Sequence, residues 1–289
     1  MASTIELIKT LRDRTGAGMM DCKKALEESN NDIDAAIDWL RKKGIAKAAS
    51  KTDRIAAEGL AAIKIDGKKA VIVEVNSETD FAAQGDAFKA LVGQIETTLL
   101  SKEPKSLEDG VKLTQTLITD ATVKIGEKMD LRRFEIVELA SGQYFGSYIH
   151  MNGKIAVLLV TTSSDDEVNK QLGMHIACEA PLYINANDIP KDIRDREEKV
   201  QIELANADPK MASKPAEMKA KILQSKIDSV LNANVLTEQG YLMTDGKEKV
   251  GQFLKSKGIQ VISFTRFKVG DGIEKKVENF AEEVAKQSK

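Results

Sequence analysis

The chain has 289 residues, 42% of them hydrophobic, enough for two or more small cores. Its 43 Lys and Arg against 45 Asp and Glu leave a net charge of −2, so the chain as a whole lacks the basic footprint of a nucleic-acid binder. No apolar run is long enough to span a bilayer, and the early Glu6 with no long apolar core after it argues against a secretory leader.

Cys22 and Cys178 lie far apart without metal-ligand spacing and read as reduced thiols of a cytosolic protein. Residues 1–48 predict three short helices. Ile5, Ile8 and Leu11 form the first apolar stripe, and Thr15-Gly16-Ala17-Gly18 breaks it. Met19, Cys22 and Leu26 line the second. Asn30-Asn31 breaks again, Asp32 caps the third, and Ile33, Ala36, Ile37 and Leu40 recur at helical spacing until Gly44 ends it. Gly16-Ala17-Gly18 is not a phosphate-binding loop. That loop needs a strand before it and Lys directly after its last glycine, whereas helices flank this one and Lys23 comes later. The glycines serve to turn two helices sharply. Adjacent Met19 and Met20 cannot both face one core, so one is left for a partner. By themselves Arg12 and Lys23 read as solvated surface charges.

Residues 47–54 are polar and charged and read as a linker. Residues 60–65 alternate loosely, Asp66-Gly67 supplies a type I′ turn, and residues 70–75 return as the second arm of a hairpin. The run Val71-Ile72-Val73-Glu74-Val75 is a buried strand by its β-branched residues. Residues 76–80 are turn and capping types, with Thr79 or Asp80 the N-cap of a helix. Phe81, Phe88, Val92, Ile95 and Leu99 fall near one face of that helix. On spacing alone Phe81 is a core residue closing the helix start; the competing reading makes it an exposed anchor for a partner protein.

A helix follows over 107–121, then strands over 131–139 and 143–150. Asn152-Gly153 makes a second hairpin turn, and residues 155–161 return. A helix through Leu172 and Ile176 stops near Pro181. The two hairpins look like copies. With Gly67 set on Gly153, Lys68 falls on Lys154, Val71 on Val157 and Asp80 on Asp166, but Phe81 falls on Glu167. A residue needed only to close the helix should recur in both, so its absence from the second favours a functional role for Phe81.

In residues 182–230, Pro190 suits a first helical turn, and Ile193, Val200 and Leu204 give a narrow stripe. Residues 208–215 interrupt, and Met218, Ile222 and Val230 begin a second stripe. The segment reads as a projecting antiparallel helical hairpin whose stripe suits pairing with one other helix. A short helix with Val250, Phe253 and Leu254, a strand over 261–269 and a terminal helix carrying Val277, Phe280 and Val284 complete the chain. No catalytic constellation emerges. His150 and His175 are far apart, and zinc spacing, a nucleophile elbow and a dinucleotide fingerprint are all missing. His175 lies on a helix stripe as a core or edge residue; His150 sits at a hairpin tip, where a surface role is the default.

Three motifs, in order across almost the whole chain, carry a resemblance. They are Leu11-Arg12-Asp13-Arg14-Thr15-Gly16-Ala17-Gly18-Met19-Met20-Asp21-Cys22-Lys23-Lys24-Ala25-Leu26, the central Asn76-Ser77-Glu78-Thr79-Asp80-Phe81, and Val269-Gly270-Asp271-Gly272-Ile273-Glu274-Lys275. Together they resemble the bacterial elongation factor Ts family. Ser77 stands where many relatives carry Cys, and Ala82 where Val is common. The resemblance implies a guanine-nucleotide exchange factor for the GTPase elongation factor Tu, in the bacterial cytoplasm or an organelle, with no covalent chemistry and no cofactor. It implies that Asp80, Phe81, Ala82, Ala83 and Gln84 displace Mg²⁺ from the partner. Arg12, Met19, Met20 and Lys23, and the last helix, would meet its nucleotide-binding domain, and His150 would lie near its third domain. No direct nucleic-acid or membrane contact is expected. The helical hairpin can dimerise in the family; a self-contained hairpin is the alternative.

The expected fold is α+β. A three-helix domain like ubiquitin-associated domains (1–48) precedes a core of two related hairpin-and-helix subdomains with antiparallel sheets (55–140 and 141–181). The helical hairpin (182–230), a return to the core (231–265) and a C-terminal module of strand and helix (266–289) follow. The rival reading is a ubiquitin-associated-type adaptor without exchange activity, whose larger part is only a spacer; an adaptor has no use for the Asp80-Phe81 corner.

Overall fold

A computed structural model describes residues 4–274, apart from residues 50, 52 and 213. The terminal helix expected around Val277, Phe280 and Val284 lies outside the described residues. Among these, the fold is α+β, with helices at the N-terminal end and two three-stranded sheets. One compact unit comprises the residues up to Glu138, Met151–Ala156 and the segment from Phe267; the other comprises Leu139–His150 and Val157–Arg266.

The first unit starts with helices α1 (Thr4–Thr15), α2 (Met19–Glu28) and α3 (Ile33–Ala49). Leu11, Ala17, Cys22, Ala25, Leu26, Ala36 and Leu40 form their core. Of the other expected stripe members, Ile8, Ile33 and Ile37 pack against it partly buried, while Ile5 is 79% exposed and Met19 59%. Short helices leave room for only the inner positions of each stripe. Gly44 does not end α3, which runs on to Ala49. Nor are residues 47–54 a free linker. Beyond the helix, Lys51 donates to the Gly126 carbonyl, and Arg54 pairs with Glu78 at 3.1 Å.

Strands β1 (Glu58–Asp66), β2 (Lys69–Ser77) and β3 (Met129–Glu138) form an antiparallel sheet in the order β1-β2-β3. Its hairpin loop is Gly67-Lys68, because Asp66 pairs with Lys69. Gly67 has φ 57° while Asp66 and Lys68 have ordinary negative φ. Type I′ needs positive φ at both central residues, so the expected turn is displaced by one residue and follows the single-glycine II′ pattern. Helices α4 (Asp80–Gln84), α5 (Asp86–Lys102) and α6 (Leu107–Ile125) follow β2. Val71, Val73 and Val75 point to one face and pack on Phe88, Leu91, Ile95 and Leu99 of α5 and Ile118 of α6.

The opposite face of β2 holds a buried charge. Glu74 has no solvent exposure, and its Oε1 accepts from Arg132 Nη1 at 2.8 Å and the Gly270 N–H at 2.9 Å. Its Oε2 accepts from Arg133 Nε at 2.6 Å. Successive strand residues normally alternate faces. Here a bulge intervenes: Glu74 pairs with Arg133 but Val75 with Leu131, which leaves Arg132 as the extra residue. Both arginines can therefore reach one carboxylate. They also reach onward, Arg133 to the Lys268 carbonyl at 3.0 Å and to the Phe267 ring at 4.3 Å, and Arg132 to the Asp271 carbonyl. Gly270 and Asp271 of the third sequence motif are thus pinned to β2 and β3.

The second sheet has the order β4-β5-β6, from β4 (Tyr144–His150), β5 (Ile155–Thr161) and β6 (Val261–Lys268). The link between β4 and β5 spans residues 151–154, with positive φ at Met151, Asn152 and Gly153, so it is longer than the expected two-residue Asn152-Gly153 turn. Helix α7 (Asp166–Glu179) follows β5. The likeness of the two hairpin-and-helix units extends to the spacing of their elements. The starts of β2 and β5, and those of α4 and α7, are separated by the same offset that sets Gly67 on Gly153. Helices α8 (Lys191–Ala207), α9 (Pro209–Ala212) and α10 (Ala216–Asn232) build the helical hairpin. No residue of α8 is buried. On α10 the buried residues are Ile227 and Leu231, while the expected stripe members Met218 and Val230 are exposed. Helix α11 (Val250–Lys257) leads into β6.

Removing one partner of a buried ion pair costs about 3–5 kcal/mol. Glu74→Leu is therefore expected to lower the thermal unfolding midpoint by several degrees, and Glu108→Leu, at an exposed pair on α6, by less than one. Differential scanning fluorimetry compares them.

Candidate functional site

The centre of the site is the corner where β2 ends. Thr79 is the N-cap of α4, with extended backbone, and its hydroxyl accepts from the Ala82 N–H at 3.2 Å. The same hydroxyl donates to Glu127 Oε1 at 2.7 Å, and the Thr79 N–H donates to Glu127 Oε2 at 2.9 Å. Ser77 Oγ donates to the Thr79 carbonyl at 2.9 Å. Glu78 accepts from the Lys128 N–H at 2.6 Å while pairing with Arg54. Every residue from Ser77 to Thr79 is therefore tied down, and α4 starts from a fixed point.

On that helix Ala83 is fully buried in the core beneath the sheet, while Phe81 is 89% exposed. The spacing argument that placed Phe81 with Phe88 fails for a definite reason. Residues seven apart share a face only in a continuous helix, and the helix breaks at Gly85. Gly85 is extended, at φ −69° and ψ 146°, and is both the C-cap of α4 and the N-cap of α5. The break turns Phe81 outward while Phe88 stays fully buried. Asp80 and Gln84 are exposed and Ala82 half-buried, so the outward surface of α4 is Asp80, Phe81 and Gln84. At the equivalent position of the second copy, α7 is continuous and carries Glu167.

Sequence reasoning missed Glu127 and Gly85. Glu127 lies far along the chain from Thr79, and only the fold joins them. Gly85 was legible as a helix breaker, but the apolar spacing across it outweighed the signal.

On the N-terminal helices Met19 and Met20 are 59% and 74% exposed, so both are free of the core, not one of the two. Met20 and Lys23 lie three residues apart on α2 and share its outward face with Met19. Arg12 is exposed on α1, and Lys23 makes a loose pair with Glu27 at 3.8 Å. Cys22 is buried on the inner face, where burial raises its thiol pKa.

His150 is half-exposed at the end of β4, its Nδ1 3.2 Å from the Tyr148 hydroxyl. His175 is a different case. It is fully buried, its Nδ1 accepts from the Leu242 N–H at 3.3 Å, and its Nε2 faces Gln239 Oε1 at 3.1 Å. That pattern requires the neutral ring with its proton on Nε2. Burial pulls its pKa below the usual value, with the Gln239 contact opposing. His175 is a structural residue. The structure thus presents the expected site residues on three elements: the α1–α2 corner, α4, and the end of β4. Among the described residues no group of three or more His, Cys, Asp or Glu could hold a metal ion, and no helix is long and apolar enough to cross a membrane.

A family model described as Elongation factor TS matches residues 78–271. A second, described as Elongation factor Ts, mitochondrial, N-terminal, matches residues 1–48. The first match takes in α4 and His150, and the second Arg12, Met19, Met20 and Lys23.

Two outcomes follow. Phe81→Ala should leave the unfolding midpoint within about a degree of wild type, since exposed substitutions change stability by less than about 0.5 kcal/mol; Ala83→Asp should lower it by several degrees. His175 has a lowered pKa in the fold, so the unfolded chain takes up its proton first. Its contribution to stability is complete above about pH 6.5 and is lost as the pH falls through the folded value. The midpoint of wild type should therefore drop more steeply between pH 7 and 5 than that of His175→Gln, measured by scanning calorimetry.

Proposed function

This chain belongs to the elongation factor Ts family, the nucleotide exchange factors of translation elongation, and we propose that it binds elongation factor Tu carrying GDP and promotes GDP release. The observation that supports this reading best is Phe81: a large aromatic, 89% exposed, on a corner held by Thr79 and Glu127. A rigid aromatic loses little freedom on docking, which favours an anchor.

GDP is held in such a GTPase through its phosphates and a bridging Mg²⁺. A binder speeds release only if it prefers the nucleotide-free form, and the coupling is reciprocal: the factor by which it weakens GDP is the factor by which GDP weakens it. A thousandfold coupling needs about 4 kcal/mol. Burying one aromatic side chain supplies about 1.5–3 kcal/mol. Other contacts must make up the rest, and Arg12, Met19, Met20 and Lys23, with His150, are the surfaces we assign to that task. Phe81 enters an apolar gap of the partner near its Mg²⁺, with Asp80, Ala82, Ala83 and Gln84 completing the turn. The shell around the metal shifts, Mg²⁺ leaves, and phosphate repulsion weakens GDP. This chain itself performs no bond-making step.

The compartment we assign is the one holding the bacterial-type translation machinery, either the bacterial cytoplasm or the mitochondrial matrix; the description of the N-terminal family model carries the word mitochondrial. Pairing of two copies through the helical hairpin is part of the proposal, supported by the exposed Ile193, Val200, Ile202 and Leu204 on α8.

Release of labelled GDP from elongation factor Tu tests the reading. Wild type should accelerate it at substoichiometric amounts. Phe81→Ala should reduce the acceleration by one to two decades, the equivalent of about 1.5–3 kcal/mol. Chelating Mg²⁺ should shrink the difference between the two, because the metal step is then bypassed. A defect that persists unchanged without Mg²⁺ counts against the metal mechanism, and an unaltered release rate with wild type counts against exchange altogether.

A further inference from the structure

Helix α6 ends where two distant segments of the chain meet. Val123 and Lys124, in its last turn, lie against the N-terminal helices. A Cβ built on Gly44 of α3 would stand 2.5 Å from Val123 Cγ2, and one on Gly16 would stand 3.2 Å from Lys124 Cε. Both glycines leave space that α6 side chains occupy. Glycine within a helix is unfavourable, so its presence at Gly44 needs a reason, and the close approach of Val123 is one. Lys51, just beyond α3, donates to the carbonyl of Gly126. Immediately after that, Glu127 takes both the N–H and the hydroxyl of Thr79, and the Lys128 N–H binds Glu78. Lys128 Nζ also reaches the Arg54 carbonyl at 2.9 Å. One short stretch, 123–128, thus touches α3 and the link between α1 and α2, just ahead of Met19 and Met20, as well as the corner that displays Phe81.

We propose that residues 123–128 are a mount that fixes the spacing between the N-terminal helices and the Phe81 corner, with Gly44 and Val123 as positioning residues for docking on the GTPase. The proposal rests on the exchange reading and adds to it how the two contact surfaces work together. Two docking elements held at the right separation engage in one event. If the first can move relative to the second, the second contact must be found again at a cost in ordering, and affinity falls without any contact being lost. The mount explains why the two glycines face α6 and why Glu127 spends both its oxygens on the backbone and side chain of Thr79.

The test is a compensation experiment. Gly44→Ala adds one methyl group where Val123 Cγ2 stands, and Val123→Ala removes that obstacle. As an isolated change in a helix, Gly44→Ala should be stabilising, so a purely local effect has the opposite sign. Spin labels on Lys24→Cys and Lys89→Cys, in a chain also carrying Cys178→Ser, report the distance from the N-terminal helices to α5 by pulsed electron paramagnetic resonance. Release of labelled GDP from elongation factor Tu is followed in parallel. We expect a single narrow distance in the parent. Gly44→Ala should shift or broaden it and raise the concentration giving half-maximal release three- to tenfold, with the maximal rate unchanged. Adding Val123→Ala should restore both within twofold. An unchanged distance in Gly44→Ala, or a double variant as defective as the single one, overturns the mount. If the distances respond and recover as expected but the parent does not accelerate GDP release, the mount stands and the exchange reading fails.

Discussion

Burying Glu74 constrains everything placed around it. A carboxylate removed from water has to be met by cations and donors, because leaving it unmatched is far more costly than any packing it gains. Two arginines from one strand can meet it only if the strand bulges, and β3 bulges at Arg132. A backbone N–H completes the set, and Gly270 provides it at φ 73°, in a place where a Cβ would lie 2.2 Å from the Ala57 carbonyl oxygen. The segment from Phe267 is thereby tied to the middle strand of the first sheet. Exchanging the whole charged set for packed apolar side chains costs little, whereas removing Glu74 alone leaves two arginines unmatched.

That same strand carries the corner on its end. The side of β2 facing α5 is packed with valines, the other side is locked by Glu74, and the chain leaves it through a network of four side chains, Ser77, Glu78, Thr79 and Glu127. The helix that follows is a single turn. It is anchored inward by Ala83, and it is cut from α5 by Gly85, so its largest side chain has no inward option. The second copy of the unit lacks the cut, and its helix runs on with an acidic residue in place of the aromatic. The two units share a strand-and-helix scaffold and differ in the exposed aromatic that we propose as a contact.

A protein that works by binding alone depends on where its surfaces are held. The helices that carry Phe81, Met19 and Met20 are each held by buried residues of their own, Ala83 on α4 and Cys22 and Leu26 on α2. His175, by contrast, is chemically able and spatially occupied, since both its ring nitrogens serve the fold.

The sequence by itself determined the order of elements and the family. β-Branched runs, helical stripes and capping residues are local properties, so the two sheets' strands, a cap at Thr79 or Asp80 and the repeated hairpin-and-helix unit were all readable, as were the three motifs in their order. Local properties were also where the reading slipped. Gly44 looked like a terminator and Asp66-Gly67 like a I′ turn, because a glycine's neighbours in space are not written beside it. Tertiary structure alone decided that Gly44 faces Val123, that Arg132 and Arg133 converge on Glu74, and that Glu127 holds Thr79. Above all it decided the direction of Phe81. Periodicity assigns a face only while a helix continues, and whether the chain continued through Gly85 depended on the packing of Ala83 and Phe88 into one core on either side of it.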